Sequence, residues 1–365
     1  MFRRSTLSLG FALLLLMASP AGASNDPEVQ LIYDSIRSRY PDLRVYCQMS
    51  EDERRKVAVD ATLQLASARK VQQPFSSGPA AGALLRQDCG ITTVVDPAAL
   101  RWMATADPLK FSPERGRLGL FTSVQSMSNK VYAPGGDGPF PAVVINSTKG
   151  VSDHLRVHAK SLLEAGFAVL IVDTFGPRGY RAGVREPLPA EFARDAYDAL
   201  AHLRTLPYID RERIYQTGYS YGGLAAALLA SPEGAQRFNA QGRFRATVAN
   251  YGSCGIAGAF TGARADAALM PMLSVDSDRP ILMLMAELDI ETPPSTCFPL
   301  LEEMRAAGKE VHWHIYPGTT HAWDKLENNG YVYRTNAGET MTYRYDASVT
   351  RDATQRMIAF FNRFR

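Results

Sequence analysis

From about residue 115 onward, short continuous apolar runs alternate with stretches whose apolar positions recur every three or four residues. Six runs read as buried strands: 141–146, 168–172, 213–217, 246–250, 281–286 and 311–316. Helical periodicity marks 152–164, 189–206, 221–230, 297–307 and 350–364. Continuous apolar strands separated by helices predict a mostly parallel sheet covered on both faces, an α/β class of fold. Right-handed crossovers then gather the strand C-termini on one edge, where functional loops collect. Two earlier runs, 118–124 and 128–132, read as opening strands paired in a hairpin or meander. Residues 24–110 form a separate, mainly helical region, with Val57, Val59, Leu63 and Leu65 on an amphipathic helix at 52–70 and a loop at 73–82. That region holds no constellation suggestive of chemistry, so a structural or lid role is its default. The catalytic domain is expected over 111–365.

The first residues break the pattern. Arg3 and Arg4 precede an apolar stretch from Leu7 to Ala18, and Ala21-Gly22-Ala23 is a small-residue cleavage site. This reads as a signal peptide over 1–23, with the mature chain beginning near Ser24. The stretch is too short for a membrane anchor, which needs about 20 residues. No Cys follows closely, against a lipoprotein, and the paired arginines leave twin-arginine export open. An exported chain, periplasmic or secreted, is expected, with no membrane association after cleavage. Its 365 residues carry a net charge of +3, and the leader holds two arginines and no acid. A near-neutral mature chain has no electrostatic footprint for nucleic acid. Four cysteines, Cys47, Cys89, Cys254 and Cys297, favour two disulfides in an exported chain, by any of three pairings. None is at the short spacing of a zinc site.

The sharpest motif is Gly218-Tyr219-Ser220-Tyr221-Gly222-Gly223, between the strand at 213–217 and the helix at 221–230. This is the setting of a nucleophile elbow, whose tight turn leaves no room for side chains two residues either side of the serine. The Tyr221 backbone N–H at the helix start is a candidate oxyanion donor. Of six histidines, His321 follows the last strand and lies downstream of Ser220, as the order Ser, Asp, His requires. Asp289 follows the strand at 281–286 and is the candidate orienting acid, with Glu287 and Glu291 as neighbouring rivals. The second oxyanion donor should follow the first central strand, where Lys149 or Thr148 could present its N–H.

The other histidines have plainer readings. His154 and His158 are spaced as metal ligands on one helix face but lack a third ligand, so an exposed face is expected. His312 and His314 should point to the wetter side of a strand, and His202 to the exposed side of a helix. The loop 178–186 reads as solvated. Tyr219, Tyr221, Phe175 and Trp323 are expected to flank an apolar pocket.

At these residues the sequence resembles the dienelactone hydrolase family, from about Arg117 to the C-terminus. Beyond the elbow, the resemblance rests on the run from Ala165 to Asp173 followed by Thr174-Phe175-Gly176-Pro177-Arg178-Gly179. It also rests on Asp289 before Thr292-Pro293, and on Pro317-Gly318 before His321-Ala322. It implies an α/β-hydrolase fold and a triad of Ser220, Asp289 and His321. Related members carry cysteines where Cys254 and Cys297 stand, which implies that pair and leaves Cys47 with Cys89. The family's namesakes use a cysteine nucleophile, so Ser220 argues against dienelactone itself as substrate. Many relatives have His-Gly where this chain has Ser147-Thr148. Residues 24–110 lie outside the resemblance.

The leading expectation is a serine hydrolase of a small-molecule carboxylic ester or lactone, needing neither metal nor organic cofactor. The elbow is also similar to that of prolyl oligopeptidases, but 24–110 is too short for their propeller domain. A non-catalytic binding protein on the same scaffold is the alternative from another class, and it predicts a drifted triad.

Overall fold

The computed structural model describes residues 26–364 apart from 72–80, 83, 87, 91–103, 105, 120–122, 182–186, 257–269 and 336–337. The leader and residues 73–80 of the loop expected at 73–82 lie outside the described residues, while Ala81 and Gly82 are helical. Two compact units divide the chain, 1–93 and 94–365.

The first unit is helical, with α1 (Pro27–Arg39), α2 (Leu43–Gln48) and α3 (Glu51–Ser67). Sequence sets each start. Asp26 accepts from the backbone N–H groups of Glu28 and Val29, and Ser50 and Glu53 form a reciprocal capping box. Ile32, Ile36, Tyr46 and Leu85 are buried at the centre of its core. A disulfide joins Cys47 to Cys89.

The second unit is built on β1 (Ser112–Gly116), β2 (Lys130–Tyr132), β3 (Phe140–Asn146), β4 (Ala168–Val172), β5 (Ile209–Tyr219) and β6 (Thr247–Asn250). Two-residue strands β7 (Gly255–Ile256) and β8 (Met270–Pro271) pair with each other; β9 (Ile281–Ala286) and β10 (Val311–Tyr316) complete the main sheet. A small hairpin, β11 (Val332–Arg334) and β12 (Thr340–Thr342), follows. The main sheet has the order β1-β2-β4-β3-β5-β6-β9-β10, parallel throughout except where β2 meets β4.

Helices α4 (Val124–Met127), α5 (His154–Glu164), α6 (Pro189–Thr205), α7 (Tyr221–Leu229), α8 (Pro232–Arg237), α9 (Phe298–Ala306) and α10 (Ala347–Arg363) connect and cover it. The period-2 pleat sorts the apolar strands onto two faces. Ala142, Val144, Met283 and Met285 pack on the side of α6, α7 and α9. Val143, Ile145, Leu282 and Leu284 pack on the side of α5 and α10. Each Val, Ile, Leu or Met side chain among them, fully withdrawn from water, contributes about 1.5–3 kcal/mol.

The opening departs from expectation. Leu118 and Gly119 are not in a strand, Val124 begins α4, and the first strand is the polar, half-exposed Ser112–Gly116. An edge strand with one open side needs little apolar content, so periodicity passes over it. β1 and β2 are also parallel, not a hairpin, because α4 carries the chain back between them.

The chain winds from β3 outward to β4, then returns to β5 on the other side of β3. The crevice between the C-terminal ends of β3 and β5 is thus the switch point of the sheet, where α/β folds bind ligands.

Candidate active site

Register brings the corner after β3 beside the elbow after β5, since Asn146 pairs with Gly218. Ser220 has φ 52° and ψ −109°, a conformation outside the regions L-residues favour. The neighbouring glycines make the turn possible. A Cβ at Gly218 would stand 1.9 Å from the Gly222 carbonyl oxygen, and one at Gly222 would stand 2.4 Å from the Asn146 carbonyl oxygen. Tyr251 (φ 36°) and Ala322 (φ 55°) share the left-handed strain. All three adjoin His321: Ser220 faces its ring, the Tyr251 ring packs on it at 4.8 Å and Ala322 follows it in the chain, as strained residues at functional sites do.

The loops after β5, β9 and β10 bring Ser220, Asp289 and His321 together. His321 Nε2 lies 3.0 Å from Ser220 Oγ, and His321 Nδ1 lies 2.6 Å from Asp289 Oδ2. All three are buried, at 7%, 3% and 3% exposure for Ser220, Asp289 and His321. Asp289 Oδ1 accepts from the N–H groups of Glu291 and Thr292, each at 2.8 Å, and Oδ2 lies 2.7 Å from Thr292 Oγ1. Thr292 Oγ1 also lies 3.1 Å from the Tyr251 carbonyl oxygen, fastening the acid's loop to the end of β6. A disulfide between Cys254 and Cys297 joins the same two segments.

Electrostatics follow from that burial. Desolvation alone would depress the His321 pKa, but the carboxylates of Asp289 and Glu291 outweigh it and raise the value to about 9. Burial works to raise Asp289, and the imidazolium beside it with the bonds from His321 and Thr292 holds it below the usual carboxylate range. Glu291 Oε1 lies 3.9 Å from His321 Nε2, and the carboxylate accepts a short hydrogen bond from the Tyr343 hydroxyl. Burial, and then the Glu291 charge, raises the Tyr343 pKa. Glu287, the other rival to Asp289, turns away to accept from Gly318 N.

The corner 147–150 adjoins the elbow helix, with Lys149 Nζ 5.2 Å from the centre of the Tyr221 ring. Lys325 Nζ donates to Thr148 Oγ1 at 3.3 Å, and burial lowers its pKa.

Several side chains stand elsewhere than expected. His154 and His158 are buried, not on an exposed face. His158 Nε2 lies 2.7 Å from Asp324 Oδ2, and its Nδ1 lies 2.9 Å from Thr354 Oγ1. Asp324 Oδ1 accepts from the Tyr251 hydroxyl at 2.7 Å. Burial would raise the Asp324 pKa, but His154 and His158 hold it down at about 2. Tyr219 and Trp323 do not flank a pocket. Tyr219 stacks on His158 at 4.7 Å and Trp323 meets Tyr251 edge-on at 4.8 Å, both within the core. Phe175 and Tyr221 join a separate buried cluster with Phe192.

His202 is half-buried against Phe111. His312 and His314 are half-buried too, no wetter than Trp313 and Ile315, because α10 covers their face. Arg178 is not solvated but forms a two-pronged, largely buried pair with Asp195.

This buried lattice under the site went unread in the sequence. Its only signals were the four-residue spacing of His154 and His158 and an aspartate three residues after His321. Neither reveals that the two segments meet.

A mostly parallel, eight-stranded sheet covered by helices, with its serine elbow at the switch point, defines an α/β hydrolase. The model of the dienelactone hydrolase family matches residues 128–365, and the chain belongs to that family. A protein of Methylorubrum extorquens strain AM1 named "Putative carboxymethylenebutenolidase" is 27% identical over 206 residues. That match takes in 52% of this chain and 65% of the relative, so the chain spans just under two thirds of the relative's length.

Among solved structures, Thermogutta terrifontis esterase 2 with butyrate bound is 16% identical. It covers 64% of this chain and 87% of its own, with a TM-score of 0.47. A dienelactone hydrolase-like promiscuous phosphotriesterase from metagenomic libraries is 20% identical, covering 63% and 88%, with a TM-score of 0.45.

Proposed function

We propose that this hydrolase cleaves a carboxylic ester or lactone through an acyl-enzyme on Ser220. The observation that carries the reading is the line from Ser220 Oγ to His321 Nε2 at 3.0 Å and from His321 Nδ1 to Asp289 at 2.6 Å. Family membership supports hydrolysis. Asp289 keeps the Nδ1 proton in place, so that neutral His321 offers Nε2 as an acceptor to the serine hydroxyl.

In acylation the Ser220 Oγ bonds to the acyl carbon as its proton passes to Nε2. The bond from acyl carbon to alcohol oxygen then breaks, and that oxygen takes the proton from Nε2. Water repeats the sequence on the acyl-enzyme, giving up a proton to Nε2 that returns to Oγ as the acid leaves. One ester and one water thus become one acid and one alcohol, tethered together if the substrate is a lactone. Charge on the tetrahedral oxygen is met by the Tyr221 N–H at the start of α7 and by an N–H of the corner after β3, that of Lys149 or Thr148.

A fluorophosphonate probe is expected to label the wild type at Ser220 and not the Ser220→Ala variant, which loses esterase activity. Ester turnover surviving in Ser220→Ala would refute the reading, and anilide turnover exceeding ester turnover would favour a peptidase. We place this activity in residues 111–365 of an exported chain. The leader pattern and the pairing of all four cysteines support export.

A further inference from the structure

The carboxylate of Glu291 has no part in the scheme above, yet it lies 3.9 Å from the nitrogen that exchanges the proton. It is held there. Tyr343, buried at the foot of the β11–β12 hairpin, donates its hydroxyl to Glu291, and the Tyr343 ring lies 5.6 Å from the His321 ring. The Glu291 side chain is 19% exposed, against 3% for His321 and 1% for Asp289, so it is the more accessible of the two acids.

From this arrangement we infer that Glu291 is a specificity-determining residue, selecting esters whose alcohol portion carries a positive charge and rejecting those with an anionic one. The inference rests on Ser220 and His321 acting as nucleophile and base. Its reasoning is geometric. When the ester bond breaks, the alcohol oxygen must reach Nε2 to take its proton. Substituents a few bonds beyond that oxygen then lie within several ångströms of Glu291.

Among the described residues, Arg344 lines the cavity beside Asp289, and the other charges nearest Nε2 are engaged. Asp289 and His321 form a pair, Lys325 donates to Thr148 and stands among Asp324, Glu327 and Glu291, and Lys149 sits over the Tyr221 ring. Among the described residues, Glu291 is therefore the carboxylate beside Nε2 on the leaving-group side, its charge only partly offset by Lys325 and His321. A cation about 5 Å from it gains about fourfold in binding in a water-like dielectric at low salt, and more where water is thinned out.

Three acetate esters make the test: that of choline, that of 3,3-dimethylbutanol, which replaces the ammonium nitrogen with carbon, and that of 3-hydroxypropanoate. The expected order of kcat/KM is cationic, neutral, anionic, with the first about tenfold or more above the second. Because the ratio is taken within one protein, changes in the common rate cancel. Glu291→Gln is expected to bring the cationic-to-neutral ratio close to one. Tyr343→Phe, which frees the carboxylate, is expected to reduce it. A wild type that hydrolyses the neutral ester with no preference for the cation overturns the inference and leaves the ester reading standing. So does a preference that survives Glu291→Gln. A wild type inert to all three overturns both.

Discussion

Replacing Gly218 with alanine isolates what the elbow does for Ser220. The added methyl would stand 1.9 Å from the Gly222 carbonyl oxygen and 2.1 Å from its carbon, with Gly223 N at 2.8 Å. These are backbone atoms of the first turn of α7, so no side-chain rotation relieves the clash. Real Cβ contacts essentially never fall under 3.0 Å. The end of β5 or the start of α7 must therefore retreat by about 1 Å, and a displacement of that size costs on the order of 100-fold in rate. Overpacking of this kind also destabilises by about 1–3 kcal/mol. The assay is kcat on a neutral short-chain ester, normalised to the fraction of protein that a fluorophosphonate labels, with urea unfolding alongside. Wild-type kcat in Gly218→Ala with an unmoved urea midpoint would show that this close approach does not hold the nucleophile.

Three further outcomes follow from the same residues. In the proposed mechanism His321 must be neutral to accept the serine proton, so kcat/KM should rise with pH to a midpoint near 9, not near 6.5. Glu291→Gln removes one of the raising carboxylates and should lower that midpoint by about one pH unit or more; a pH–rate profile of both proteins checks it. Asp324, depressed to about 2 from 3.8, contributes stability that is complete above its unfolded value and is lost as pH falls toward 2. Asp324→Asn breaks a buried pair and should cost about 3 kcal/mol at neutral pH. Urea unfolding at pH 7 and pH 3 should show that deficit shrinking in acid. The Cys254–Cys297 bridge spans 43 residues, for which loop-closure entropy gives about 4 kcal/mol. Its reduction should lower both the urea midpoint and the ester kcat, since the bridge secures the loop of Asp289.

The parts legible in the sequence were those governed by local periodicity. The inner strands β4 and β9 announce themselves as apolar runs because both faces are covered, and their ends agree with the pattern, as do those of the edge strand β10. Ser220, Asp289 and His321 could be singled out as candidates because each sits at a strand end, in the chain order that the proposed roles require. What escaped is set by contacts between distant segments. His158 and Asp324 are 166 residues apart, and no spacing rule reports their meeting. A histidine paired with a buried carboxylate can sit in a core, so its polarity misleads when read along one helix. Glu291 was visible only as a rival to Asp289. The turn that sends Asp289 to Nδ1 leaves Glu291 near Nε2, a distinction made by side-chain direction.

The two disulfides also bear on how the chain is made. Cys47 pairs with Cys89 and Cys254 with Cys297, so each cysteine is bonded to its neighbour in chain order. A polypeptide that emerges from its N-terminal end into an oxidising space meets each correct partner before any wrong one. Oxidation in the order of emergence therefore yields the native pattern without reshuffling. If the chain is exported unfolded, an oxidase would suffice to mature it, and its yield is then expected not to depend on a disulfide isomerase.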